Sequence, residues 1–179
     1  MRLSQAIFVL YLLDANTLID AKRDYFEFER VPEFWEWIQH QGSVGNIKIP
    51  IEIYEEFEEA RKADGERDAL AEWAADEEVR ASLLLGEEAN PAIVSRVISQ
   101  GYCPDPTDQE IETIGRDPFL IAHALADQEN RTIVTTEVSK PAKQRANRSV
   151  PDVSRDLGIR CINNFQLLRE LNFRTGWKA

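Results

Sequence analysis

Cysteine and histidine are scarce in this sequence. It contains two cysteines, Cys103 and Cys161, and two histidines, His40 and His123. Two cysteines are too few for a disulfide framework or a cysteine-based zinc site, and such a low count is typical of a reducing cytoplasm. We therefore expect a cytoplasmic protein whose chemistry depends on other side chains.

Long hydrophobic runs are also missing. The apolar stretch "AIFVLYLL" near the N-terminus has eight residues, whereas a membrane-spanning helix needs roughly 20. No small-residue cleavage site follows this stretch, which argues against a signal peptide and for a buried strand. The sequence therefore predicts a protein that does not associate with membranes.

The charge is negative overall but unevenly placed. The chain has 179 residues and a formal charge of −11, which argues against a protein whose whole surface binds nucleic acid. Residues 138–179 hold nine Lys/Arg and three Asp/Glu, while residues 1–137 carry a net charge of −17. The acidic body and the basic C-terminal part could meet different partners.

Segments typical of strands alternate with segments typical of helices. We expect strands near residues 7–13, 45–50, 132–137 and 159–162. Helix signals lie between them, and the clearest is "DPFLIAHAL", with Asp117 as its N-cap and Pro118 at the first helical position. This alternation predicts an α/β fold, a three-layer α/β/α arrangement with a mostly parallel central sheet.

Length and pattern together predict one domain over residues 1–179. The sequence contains no internal repeat. A helical insertion is expected around residues 65–101, and a basic loop is expected around residues 138–149.

Four acidic residues occupy positions at which sites form in such a fold. In open parallel α/β sheets, sites form at the carboxyl ends of the strands. Asp14 and Glu137 each end a predicted strand. Asp117 opens a helix, and Glu56 lies about two turns into a helix that directly follows a strand. The four carboxylates are therefore candidates for one edge of one sheet.

Carboxylates brought together in this way repel one another unless some are protonated or a cation neutralises them. Ligands that are all oxygens favour Mg²⁺ or Mn²⁺ over zinc. Each acid also has a simpler interpretation on its own: the end of a strand, a surface position on a helix, an N-cap or the start of a loop. Their joint placement favours a common site.

Four motifs resemble those of the PIN domain, the fold of the ribonuclease toxins of VapC type, and especially a less characterised bacterial PIN-like branch. "YLLDANTLIDAKRDYF" is similar to the opening strand and its Asp-x-Asn segment, and "DPFLIAHAL" is similar to the third motif. "IPIEIYEEF" and "IVTTE" resemble the second and fourth motifs more weakly. The resemblance keeps the order of the family's elements from about residue 10 to about residue 170.

The resemblance implies a metal-dependent endoribonuclease that hydrolyses RNA phosphodiesters. Its catalytic and metal-binding residues would be Asp14, Glu56, Asp117 and Glu137, with Mg²⁺ or Mn²⁺ as the cofactor. Asn16 would orient a carboxylate or a metal-bound water from behind the ligands. The resemblance further implies a toxin held in check by an antitoxin protein, and a homodimer.

Two departures from the family pattern affect the fourth ligand. Glu137 stands where the toxins more often have aspartate, so its reach differs by one methylene. Asp152 in "VPDV" is a candidate substitute or additional ligand, and it could equally be a helix cap. The sequence leaves both residues open as ligands.

A basic segment follows Glu137 directly. "VSKPAKQRANRSV" contains no acid, and its four cations, which could bind RNA phosphates, are Lys140, Lys143, Arg145 and Arg148. Such contacts would make binding depend steeply on salt. The alternative is a solvated loop without a partner.

Three other functions remain open at this stage. "LLDANT" approaches the Asp-x-Asp-x-Thr motif of phosphatases that resemble haloacid dehalogenases, although Asn16 replaces the second aspartate. A non-catalytic PIN-like module that binds RNA or protein is the second alternative. A general α/β interaction domain, with all four acids on its surface, is the third.

Overall fold

A computed structural model describes residues 8–61 and 65–178. At its centre lies a sheet of four parallel strands in the order β2-β1-β3-β4. The strands are β1 (Leu10–Leu13), β2 (Ile47–Lys48), β3 (Arg131–Val134) and β4 (Arg160–Ile162). Helices flank this sheet in a three-layer α/β/α arrangement, which confirms the predicted fold class.

Ten α-helices connect and cover the strands in the described part of the chain. They are α1 (Ala15–Asp20), α2 (Pro32–Ser43), α3 (Ile51–Glu58), α4 (Ala69–Ala74), α5 (Glu77–Leu83), α6 (Pro91–Arg96), α7 (Asp108–Ile114), α8 (Asp117–Leu125), α9 (Val150–Asp156) and α10 (Asn164–Glu170). Two π-helical segments, Ala21–Tyr25 and Val97–Tyr102, continue α1 and α6, and a short 3₁₀ turn covers Arg145–Asn147. No helix in residues 8–61 and 65–178 is long and apolar enough to cross a membrane.

The two central strands explain the apolar runs of the sequence. Leu12 of β1 pairs with Ile133 of β3, and Leu13 pairs with Val134. All four side chains are fully buried, because a central parallel strand is covered on both faces and therefore has no polar alternation. The run ends at Asp14, the first residue after β1.

Three predicted boundaries need correction. Strand β3 ends at Val134, so that Glu137 lies three residues beyond it rather than at its end. The N–H of Glu137 donates to Oγ1 of Thr135 at 3.1 Å. Helix α8 begins at Asp117 itself and has Arg116 at the N-cap position.

The third correction concerns helix α3, which ends at Glu58, well before the predicted end at Gly65. Residues 62–64 of that predicted helix, and residue 7 of the first predicted strand, lie outside the described residues.

Candidate functional site

Asp14 is fixed between the two central strands. It directly follows β1, and only 4% of its surface is exposed. Its backbone N–H donates to the carbonyl of Val134 at 2.9 Å, and Oγ1 of Thr135 donates to its Oδ2 at 2.6 Å. The carboxyl ends of β1 and β3 thus hold this carboxylate in one orientation.

Burial raises the pKa of Asp14 to about 6. The hydrogen bond from Thr135 opposes this effect, and so do the backbone N–H groups of Ala15 and Asn16, because all three favour the ionised form. The charge of Glu137 raises the pKa further. Asp14 therefore interacts electrostatically with a second carboxylate, that of Glu137 in the loop after β3.

The charges of all three other acids affect the pKa of Asp117. Burial is the main reason why its pKa rises to about 8, and the charges of Asp14, Glu137 and Glu56 add to the shift in that order. A carboxyl group with such a pKa holds a proton near neutral pH unless a cation replaces it. The other three predicted acids therefore lie near enough to Asp117 for their charges to affect its pKa.

Glu56 is the acid of helix α3 that faces this region. Burial of its carboxyl group and the charge of Asp14 raise its pKa to about 6, although the residue as a whole is exposed. Two neighbouring glutamates form salt bridges with arginines: Glu55 pairs with Arg116 at 3.0 Å, and Glu58 pairs with Arg80 at 2.5 Å. The helical register thus separates Glu56 from the other glutamates of "EEFEE".

Glu137 is anchored by the start of helix α9. The N–H of Val150 donates to its Oε2 at 2.9 Å, where the positive end of the helix dipole favours an anion. Among the described residues, no hydrogen bond reaches its other oxygen, Oε1. Glu137 can therefore offer one carboxylate oxygen to the site.

Asp152 is not available as a ligand. It is 1% exposed, and its carboxylate accepts hydrogen bonds from the Ser139 hydroxyl, the Lys140 N–H, the Ser149 hydroxyl and the Arg155 guanidinium at 2.5–3.0 Å. These donors hold its pKa well below the usual range despite the burial. The prediction that Asp152 completes a metal site is therefore wrong. Its carboxylate instead has a structural role and connects the basic loop to α9.

Asn16 interacts with Asp14 through its backbone, whereas the sequence predicted an interaction through its side chain. Its backbone N–H, rather than its side chain, favours the ionised form of the Asp14 carboxyl. Within the described residues its half-buried side-chain amide has no hydrogen bond. The predicted orienting role of this side chain remains a prediction.

Tyr102 belongs to the site and was missed by sequence reasoning. It ends the π-helical segment after α6 and is 7% exposed. Burial raises its pKa, and the charges of Asp117, Glu137 and Asp14 raise it further. The hydroxyl lies near enough to Asp117 to lower the pKa of that carboxyl, yet no described residue completes a hydrogen bond of normal geometry with it. This buried hydroxyl lies near three of the four acids, and nothing in "SQGYCPD" signals this.

The donor types around the site suit a hard divalent cation. The four acids and Tyr102 offer only oxygen atoms, which favours Mg²⁺ or Mn²⁺. In residues 8–61 and 65–178, however, no three Asp, Glu, His or Cys side chains are close enough to form a ready ligand set. The residues fit the cation in their chemistry, and their side chains must move closer together to bind it.

The basic segment after Glu137 divides into two pairs of cations. The Arg145 guanidinium donates to both carboxylate oxygens of Glu110 and to Asp105. Arg148 donates to the carbonyl of Gly101 and to the carboxylate of Asp156. Both arginines are thus engaged within the protein, which weakens their predicted role in RNA binding.

Lys140 and Lys143 form the other pair. Both residues are exposed, and in the described part of the chain neither ammonium group has an acidic partner. Of the four predicted cations, these two remain free to meet an external anion.

The chain was compared with known proteins. The family model described as "Domain of unknown function (DUF4411)" matches residues 11–175. No curated protein and no solved structure matches the chain.

Proposed function

Since the chain belongs to the family of domains of unknown function DUF4411, we propose its function from its own site: an endoribonuclease that depends on Mg²⁺ or Mn²⁺. One observation carries the proposal: the pKa of Asp117 is raised to about 8 by burial and by the charges of Asp14, Glu137 and Glu56. The negative charges of these four acids repel one another, and a bound divalent cation would neutralise that repulsion. The resemblance of the four motifs to PIN domains supports the same function.

Different residues of the chain would bind the cation and the phosphate. Asp14, Asp117, Glu137 and Glu56 would hold the cation, with Asp14 oriented by Thr135 and Glu137 by the N–H of Val150. A bound divalent ion supplies a water of lowered pKa and a positive charge next to the phosphodiester. The Tyr102 hydroxyl, which completes no hydrogen bond of normal geometry among the described residues, would donate a hydrogen bond to a phosphate oxygen.

Purified protein incubated with RNA in the presence of Mn²⁺ tests the proposal directly. Cleavage that requires Mn²⁺ and stops with EDTA supports it, and products with a 5′-phosphate and a 3′-hydroxyl are expected. Intact RNA under both conditions would reject it. Conversion of a generic phosphate ester would instead support the phosphatase alternative.

Lys140 and Lys143 are proposed to guide the RNA toward the acids. The double charge reversal Lys140→Glu/Lys143→Glu should weaken RNA binding and flatten its dependence on salt, because each lost phosphate contact removes about 0.7 from the slope of log K against log salt for a single strand. Titrations at several salt concentrations measure this effect. Reversal of Arg169, an exposed cation on α10, provides the control. Identical slopes in the wild type and the double variant would show that the loop does not contact RNA.

The cellular setting is a further part of the proposal. A cytoplasmic ribonuclease of this kind would act as the toxin of a toxin–antitoxin pair, with a basic segment of the antitoxin on the acidic face and a homodimer as the active form. A non-catalytic PIN-like module that binds RNA or protein is the second candidate, and the absence of a ready three-acid ligand set in the described residues favours it. Such a module would bind RNA but would not cleave it with Mn²⁺.

A further inference from the structure

A cavity lies beside the acid site. It has a volume of about 400 Å³, within the size range of ligand pockets. Its walls come from the π-helical segment after α1, the loop after β3 and the start of α10. Glu137 lines this cavity and also raises the pKa of Asp117. The cavity and the acid site therefore share one residue.

Exposed apolar side chains line the cavity. Tyr25 is 50% exposed, Phe165 is 42% exposed and Val138 is 67% exposed. The rings of Tyr25 and Phe165 meet edge to face, with their centroids 5.2 Å apart. Large apolar groups that remain exposed around a concave surface mark a binding site more often than a chance arrangement. This cavity offers aromatic surface to a flat ligand.

The lining of the cavity has three acids, Asp20, Asp24 and Glu137, but only one cation, Arg23. The Arg23 guanidinium donates to both carboxylate oxygens of Asp24 and lies 2.8 Å from a carboxylate oxygen of Asp20. Asp20 also accepts a hydrogen bond from the Thr136 hydroxyl. With its one cation paired and its acids in excess, the cavity repels a phosphate, whereas a neutral group meets no such repulsion.

Asn164 adds an unused hydrogen-bond donor. This residue lines the cavity and is 7% exposed. Its Oδ1 accepts from the N–H of Phe165 at 3.0 Å, but its buried Nδ2 has no acceptor among the described residues. A carbonyl or ring nitrogen that enters beside Asn164 would satisfy this donor.

We propose that this cavity, the base pocket, receives an unpaired RNA base next to the phosphodiester that the acids act on. The inference rests on the proposed ribonuclease function and narrows its substrate to single-stranded RNA. A base is flat, neutral and rich in acceptors, and unpaired bases are the ones that proteins stack on aromatic side chains. In a duplex the same faces and edges are already stacked and paired.

Fluorescence anisotropy with a labelled single-stranded RNA, in EDTA, tests the base pocket without any cleavage. Phe165→Ala should raise the Kd about tenfold, which corresponds to the loss of stacking on one ring. Phe165→Tyr keeps the ring and should bind like the wild type. Phe8→Ala removes an aromatic side chain that is 56% exposed outside the cavity, and it should have no effect. Thermal unfolding of each variant confirms that it is folded.

The outcomes separate the two proposals. Equal affinity of the wild type and Phe165→Ala, an equal loss in Phe8→Ala, or a wild type that does not bind single-stranded RNA would overturn the base pocket. An equal loss of affinity for a duplex of the same sequence would overturn it as well. If Phe165→Ala weakens binding while the wild type does not cleave RNA with Mn²⁺, the pocket stands and the nuclease proposal fails.

Discussion

Asp14→Asn is expected to lower Mn²⁺-dependent RNA cleavage at least about a hundredfold, since a ligand of a catalytic cation contributes several kcal/mol to the transition state. The side chain is 4% exposed and accepts a hydrogen bond from Thr135, the residue that follows β3. Asparagine has the same shape and can still accept the hydrogen bond from Thr135. The substitution therefore removes charge while it leaves the packing intact. Initial rates of cleavage at saturating Mn²⁺ measure the effect.

Asp108→Asn is the matched control for this variant. Asp108 is an exposed aspartate in the first turn of α7, and its substitution should leave the rate unchanged. Asp117→Asn should be as inactive as Asp14→Asn, because both acids belong to one site. Equal cleavage by the wild type and Asp14→Asn would remove Asp14 from the mechanism.

In the protein without metal, the Asp117 carboxyl group is expected to cost stability as the pH rises from about 4 to about 8. The folded pKa of Asp117 is raised from 3.8 to about 8, so that between these values the folded state binds more protons than the unfolded state. Stability then falls with increasing pH. Asp14 and Glu56, whose pKa values are raised to about 6, add to the loss in the lower part of this range. Thermal unfolding in EDTA across the range measures the trend.

Asp117→Asn should reverse this loss. At pH 8 the variant should be more stable than the wild type by at least about 1 kcal/mol, the equivalent of roughly one pKa unit, and near pH 4 the two should differ little. Mn²⁺ should stabilise the wild type more at pH 8 than at pH 5, because the cation must displace fewer protons. Asp108→Asn again serves as the control. A difference in stability between the wild type and Asp117→Asn that stays constant from pH 4 to pH 8 without metal would contradict the account of the site.

The sequence predicted the elements that depend on local patterns. The apolar run before Asp14 could be identified as a buried strand because central parallel strands lack polar alternation. The Asp-Pro pair at Asp117 marked the start of α8 to within one residue, because proline favours the first helical turn. The order of these elements along the chain was enough to bring both acids to one edge of the sheet.

The sequence could not predict which charged side chains form hydrogen bonds or salt bridges within the protein. Asp152 and Asp14 both follow or open regular elements, but the donors that saturate Asp152 come partly from a loop more than ten residues away in the chain. Arg145 looks free in "AKQRANR", and its partner Glu110 is 35 residues away. Tyr102 reaches the acids only through the packing of a π-helical segment. These contacts follow from tertiary structure, which leaves no periodic signal.

The central claim is that the carboxylates of Asp14, Asp117, Glu137 and Glu56 converge on a divalent cation. Anomalous diffraction from crystals soaked in Mn²⁺ tests it most directly, because the signal locates the ion independently of activity. The account predicts a peak that is coordinated by oxygens of Asp14 and Asp117, with at least one of Glu137 and Glu56 in the same shell. Crystals that contain Mn²⁺ only at other acidic residues, or show no peak at this edge of the sheet, would contradict it.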